Sequence, residues 1–146
     1  MDFFSLIQIK LFKKEYKKNN SHNYYNCSNN NQRAYEIAET LVNTWEIASD
    51  YVISKGGKFT AILQPVSFYG KAQFDYLNLN NENDLNLASQ YNKVYPLIIN
   101  IAKKRNFNFV DLTSTYDGCS VCYIDFGHVG PQGHEILVKK LLKILN

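Results

Sequence analysis

Phe59-Thr60-Ala61-Ile62-Leu63-Gln64-Pro65 is a short apolar run stopped by a polar residue and a proline. That length and that ending predict a strand over 59–63, buried on both faces as the central strands of parallel sheets are. Its flanks decide the layer it belongs to. Upstream, Ala34, Ile37, Ala38, Leu41, Trp45, Ala48 and Val52 recur at helical spacing. They predict a helix of about six turns from Arg33, with Trp45 as a core residue on its apolar stripe. Gly56 and Gly57 then end it, as glycines past a helix C-terminus do.

Downstream, a loop over 67–83 leads to a second helical stretch at about 84–104, with Leu87, Tyr91, Val94, Ile98, Ile101 and Ala102 toward the core. Pro96 is expected to kink or divide it, because proline lacks the amide hydrogen and crowds the preceding turn. Residues 107–112 are a second strand. The chain then passes through the strand-like residues 121–124 into a terminal apolar helix at 132–145.

Helix, strand, helix, strand, helix is the alternation of an α/β layer structure with a parallel sheet. Two strands do not make a stable sheet, and open parallel sheets covered on both faces usually have about four or more. The pattern therefore predicts one domain whose N-terminal strands are missing. Phe3, Phe4, Ile7, Leu11 and Phe12 predict a helix stranded without partners, followed by Lys13, Lys14, Lys17 and Lys18. The segment 19–32 holds seven Asn and no aliphatic residue, which predicts a polar loop.

Composition bounds function loosely. The net charge of +3 is modest, and its only dense cluster, the four lysines around Glu15 and Tyr16, reads as a solvated helix face rather than a nucleic-acid stripe. No run reaches the ~20 apolar residues that a membrane-spanning helix needs, so no transmembrane segment is expected. Three cysteines cannot all pair within the chain, and no secretory leader opens it. The chain as it begins at Met1 thus reads as cytoplasmic, with reduced thiols; a start further upstream leaves the compartment open.

The chemistry-bearing stretch is Tyr123-Ile-Asp-Phe-Gly-His-Val-Gly-Pro-Gln-Gly-His-Glu-Ile-Leu137, where Asp125 and His128 sit three apart in a loop that opens the last helix. A carboxylate so placed can hold an imidazole in one tautomer. One ring nitrogen then accepts a proton from a nucleophile while the other donates to the carboxylate. A bare Asp-x-x-His pair also serves as a helix cap or a surface loop, and the strand-loop-helix context favours the chemical role.

This block resembles the last motif of the SGNH/GDSL hydrolase family. The run Phe59-Thr-Ala-Ile-Leu-Gln-Pro-Val66 resembles the central strand of its bacterial members, and Phe109-Val-Asp-Leu-Thr113 resembles the strand before the Asp-His loop. The resemblance covers roughly residue 33 to the C-terminus. It implies a partial flavodoxin-like α/β/α sandwich, with His128 as general base and Asp125 as its orienting partner. It also implies acyl or acetyl ester cleavage, on a small-molecule or carbohydrate-linked substrate, with no cofactor. The family's other motifs are not found here: there is no Gly-Asp-Ser-like nucleophile block, no oxyanion glycine in its usual setting and no Gly-x-Asn-Asp-like block. Ser5, Ser21 and Ser28 lack the strand-to-helix turn that would expose a nucleophile.

Other signals rank lower. Cys119, Cys122, His128 and His134 suggest zinc, but five residues between Cys122 and His128 fall well short of the ~12 of a zinc finger. The simpler expectation is two inert reduced thiols in or beside a buried strand, no metal, and an exposed His134 in the first turn of the last helix. Gln64, at the C-terminal end of a parallel strand, either lines a substrate pocket or satisfies the turn that follows. The competing functional class is a non-catalytic remnant or interaction module that self-associates through the sheet edge exposed by the missing strands. A zinc-binding module is a third.

Overall fold

The computed structural model describes residues 26–145. The expected N-terminal helix, the lysine cluster and the Asn-rich segment up to residue 25 lie outside the described residues.

Helix α1 spans Asn31–Ser54. It starts inside the run expected to be a loop, because Asn30 caps it, its side-chain oxygen accepting from the Arg33 N–H at 2.9 Å. Residues 26–30 are a loop and only 31–32 belong to the helix, but Cys27 within that loop is buried, packing with Ala34 and Ala38. A cysteine behaves there as a small hydrophobe, the one buried side chain in a loop whose Asn29 and Asn30 are exposed. At the other end Gly56, at φ +78°, and Gly57 donate to the carbonyls of Ile53 and Val52. That pair of bonds closes the helix in a Schellman motif, which a residue without Cβ forms without strain.

Strands β1 (Ala61–Leu63) and β2 (Phe109–Asp111) pair in parallel, Ala61 opposite Phe109 and Leu63 opposite Asp111. Helix α2, Glu82–Ala102, makes the crossover between them. Its cap is Asn81, whose side-chain oxygen accepts from the Asp84 N–H. Pro96 was expected to kink or divide this helix, yet it lies within one helix on an exposed position. The carbonyl deprived of its donor is that of Asn92, also exposed, where water can replace the bond.

The core lies between α1, α2 and one face of the sheet. Ala34 and Ala38 let the helices approach closely, and Val42, Leu63, Val94 and Ile98 fill the space. Trp45 leans on Phe109 with ring centroids 5.9 Å apart, as a core residue should. Ala61 and Leu63 are buried, but Ile62 between them is 38% exposed. The expectation of burial on both faces is therefore corrected: among the described residues β1 is covered on one face only.

Beyond β2 the chain turns rather than extends. Asp111 accepts from the Thr113 amide and hydroxyl, bending the strand end into a turn-rich segment around the buried Tyr116. No third strand forms over 121–124, where the single antiparallel bridge Tyr123–Val129 closes a loop instead. Helix α3, Pro131–Leu145, follows, with Ile136 and Leu137 packed inward and Val138, Leu142 and Ile144 exposed. The described fold is thus a mixed α/β arrangement of three α-helices and a two-stranded parallel sheet. None of its helices is long and apolar enough to cross a membrane.

Candidate functional site

The loop 124–129 that carries Asp125 and His128 is closed by the backbone. The Ile124 N–H donates to the His128 carbonyl at 2.9 Å, and the Gly130 N–H to the Cys122 carbonyl at 2.8 Å. Inside this closure Asp125 Oδ1 accepts from the Gly127 and His128 amides at 2.8 and 2.7 Å. Its other oxygen, Oδ2, lies 2.7 Å from His128 Nδ1. One carboxylate therefore shapes the loop with one oxygen and fixes the imidazole with the other. The Gly127 amide is the largest influence holding the Asp125 carboxyl below the usual carboxylate range, followed by the His128 amide and the His128 ring.

With Nδ1 donating to the carboxylate, Nε2 is the nitrogen that carries the free lone pair. The His128 side chain is 77% exposed, so Nε2 is open to a reacting group. The loop is seated on the C-terminal end of β1: the Ser67 N–H donates to the Phe126 carbonyl at 2.9 Å, and Phe126 stacks on Phe68 at 5.8 Å and 8°. Behind it, Tyr76 donates its hydroxyl hydrogen to the Tyr123 carbonyl and accepts from the Tyr123 amide. Gly133, in the first turn of α3, abuts the neck of the loop. A Cβ there would lie 2.7 Å from Val129 Cβ and 2.9 Å from the Cys122 carbonyl oxygen.

Comparison with protein-family models, curated protein sequences and solved structures gives no match to this chain.

Asp125 and His128 are brought together as the sequence pattern predicts. Gln64 is exposed at the C-terminal end of β1, three residues before Ser67, and its side chain makes no hydrogen bond to the turn that follows. His134 is exposed in the first turn of α3. Among the serines considered as nucleophiles, Ser5 and Ser21 lie outside the described residues, and Ser28 donates its hydroxyl to Asn26. Ser67, not singled out from sequence, is buried, and its hydroxyl has no hydrogen-bond partner among the described residues.

The two cysteines of the motif correct a further expectation. Cys119 and Cys122 are joined in a disulfide, so they are not reduced thiols. An odd cysteine count excludes complete pairing but not one pair, and buried Cys27 is the one left over. The cross-link also removes both sulfur donors from the zinc reading, and no cluster of three or more potential metal ligands occurs among the described residues. Sequence offered a weak signal for the bond, namely spacing, and only the turn at 119–122 brings the two Cα atoms to 5.9 Å.

A wide cleft lined by Ser49, Phe59, Ile62, Arg105 and Asn108 opens at the N-terminal ends of the strands. It is at the opposite end of the sheet from Gln64 and the Asp125–His128 loop, so it is not the cavity of this site. Ligands of open α/β sheets bind beyond the carboxyl ends of the strands.

Proposed function

We propose that the chain is the base-bearing part of an SGNH/GDSL-type serine ester hydrolase, in a partial flavodoxin-like α/β/α sandwich. The observation that carries this reading is the Asp125–His128 pair, with its Nδ1 bond to the carboxylate and an open Nε2. In such a reaction His128 Nε2 takes the proton of a serine hydroxyl as it attacks the ester carbonyl. It then returns the proton to the leaving alcohol, and later activates the water that hydrolyses the acyl-enzyme. Asp125 stays ionised throughout and offsets the positive charge on the ring. Its depressed pKa suits that role, since it must not take the proton itself.

The nucleophile and oxyanion donors would come from a Gly-Asp-Ser-bearing segment that completes the sheet along its open edge. Oxyanion donors commonly supply ~3–4 kcal/mol of transition-state stabilisation each, so a base without them activates water poorly. The 146-residue chain alone should therefore show no hydrolysis of p-nitrophenyl acetate above background and no labelling by a fluorophosphonate probe. Completed by such a segment it should gain both. In the completed protein His128→Ala should abolish turnover, and Asp125→Asn should lower it by about 10⁴-fold through the wrong tautomer. Strong labelling of the chain alone, or full turnover by the His128→Ala protein, would overturn the reading.

A second reading draws on the same open sheet. In the described two-stranded sheet each strand leaves one backbone edge unpaired by a further strand, along which a non-catalytic module would associate with itself edge to edge. Light scattering on the eluting protein separates the two: a discrete oligomer favours the module, and a monomer removes it.

A further inference from the structure

The Cys119–Cys122 bond spans only Ser120 and Val121, both exposed. A cross-link so short constrains the unfolded chain little, because the entropy removed grows with the logarithm of loop length. Its effect is local, and its position shows on what. The Cys119 carbonyl accepts from the Gln73 N–H, and the Cys119 N–H donates to Tyr116, which anchors this end to the 71–77 segment and the buried turn. The Cys122 carbonyl accepts from Gly130, the bond that closes the neck of the Asp125–His128 loop. The disulfide thus ties a fixed anchor to the neck of the loop that holds the base. Cys119 is 9% exposed and Cys122 fully buried, so Cys119 is the less enclosed of the two residues.

We propose that this disulfide is a redox latch on the Asp125–His128 loop, opened by a dithiol reductant. As a regulation of catalysis it rests on reading that pair as the hydrolase base; as a property of the loop it does not. One thiolate of the dithiol attacks Cys119 Sγ, the Cys119–Cys122 bond breaks, and Cys122 leaves as a thiolate that takes up a proton. The second thiol of the reductant then displaces Cys119 as a thiol, and the reductant departs as its own disulfide. Two electrons pass to the protein. With the tether gone, the neck keeps its backbone bonds, the Tyr76 hydroxyl and the packing of Tyr123 and Val129, and the loop opens more often.

The test is amide hydrogen exchange on the 146-residue chain in three forms: oxidised, reduced with dithiothreitol, and Cys119→Ser/Cys122→Ser. Exchange at Ile124 and Gly130, whose amides close the loop, should rise by roughly tenfold or more in the reduced and the variant proteins. It should return to the oxidised rate on reoxidation of the wild type only. The α1 amides of Ala38 and Val42 should not change. Unchanged rates at Ile124 and Gly130 would overturn the latch, and so would equal acceleration in α1, which marks a bond that supports the whole fold. Finding no disulfide by intact mass in the oxidised protein would overturn it as well. Because the readout is an exchange rate, failure of the hydrolase reading leaves this result interpretable.

Discussion

Between α1 and α2 the packing is carried by small and branched side chains, Ala34, Ala38, Val42 and Ile98, all at 0–3% exposure. The 113–145 segment is held differently, by a disulfide, the Tyr76 hydroxyl, Asp-centred turns and a small cluster around Tyr116 and Tyr123. Its helix α3 leaves Val138, Leu142 and Ile144 exposed. Many weak contacts shared among neighbours give cooperative stability, whereas point attachments fail one at a time. The Asp125–His128 pair is thus mounted on the part whose geometry depends on a few identifiable bonds.

The comparison is broken most severely in the helical layer. Ile98→Ala should cost about 3 kcal/mol, the middle of the range for removing a buried aliphatic side chain, and urea denaturation should show it as a lower midpoint with an unchanged slope. A loss under about 1 kcal/mol would mean that the α1–α2 layer is not the stabilising body.

Next in size is Gly133→Ala. Its Cβ would meet Val129 and the Cys122 carbonyl, backbone that cannot swing aside. Overpacking of that kind costs about 1–3 kcal/mol, and here it should fall on the loop neck, read as faster exchange at Gly130 with α1 unaffected. Gly127→Ala, where a Cβ meets nothing within 4 Å, is the matched control and should stay within about 0.5 kcal/mol of wild type.

Tyr76→Phe sharpens the contrast with a single atom. It removes the oxygen that both accepts from and donates to Tyr123, a buried residue, and should cost about 1 kcal/mol by thermal melting. A neutral result would show that the neck does not depend on this brace.

The smallest effect is electrostatic. Asp125 has its pKa lowered in the folded chain, so the unfolded chain binds more protons in the acid range. Its contribution is complete above the ordinary carboxylate pKa of about 4 and is lost as pH falls through the lowered value. Stability measured against pH should therefore fall less steeply on the acid side in Asp125→Asn than in wild type. An identical acid slope would show that the carboxylate bonds of the loop are absent in solution.

Much of this was legible in the amino-acid order. The stripe from Ala34 to Val52, the Gly56-Gly57 stop, the strand ended by Gln64-Pro65 and the Asp125–His128 pair are local patterns. They are set by helix and strand periodicity, by the backbone freedom of glycine and by a reach of three residues. An imidazole and a carboxylate that lie three residues apart in one short loop can be paired before any tertiary contact is known.

What folding alone decided depends on partners distant in sequence. Cys27 reads as part of a polar run until Ala34 and Ala38 bury it, and Ile62 reads as core until one face of the sheet is left uncovered. Pro96 reads as a break until its position proves to be on the solvent side of a helix that packing holds together. The disulfide required the turn that folds 119 onto 122, and the seat of the Asp125–His128 loop required Ser67, Phe68 and Tyr76, 47 to 59 residues from the partners they meet. Periodicity reports which face of an element is apolar. Only the packed chain determines what that face meets, because burial belongs to the neighbours as much as to the residue.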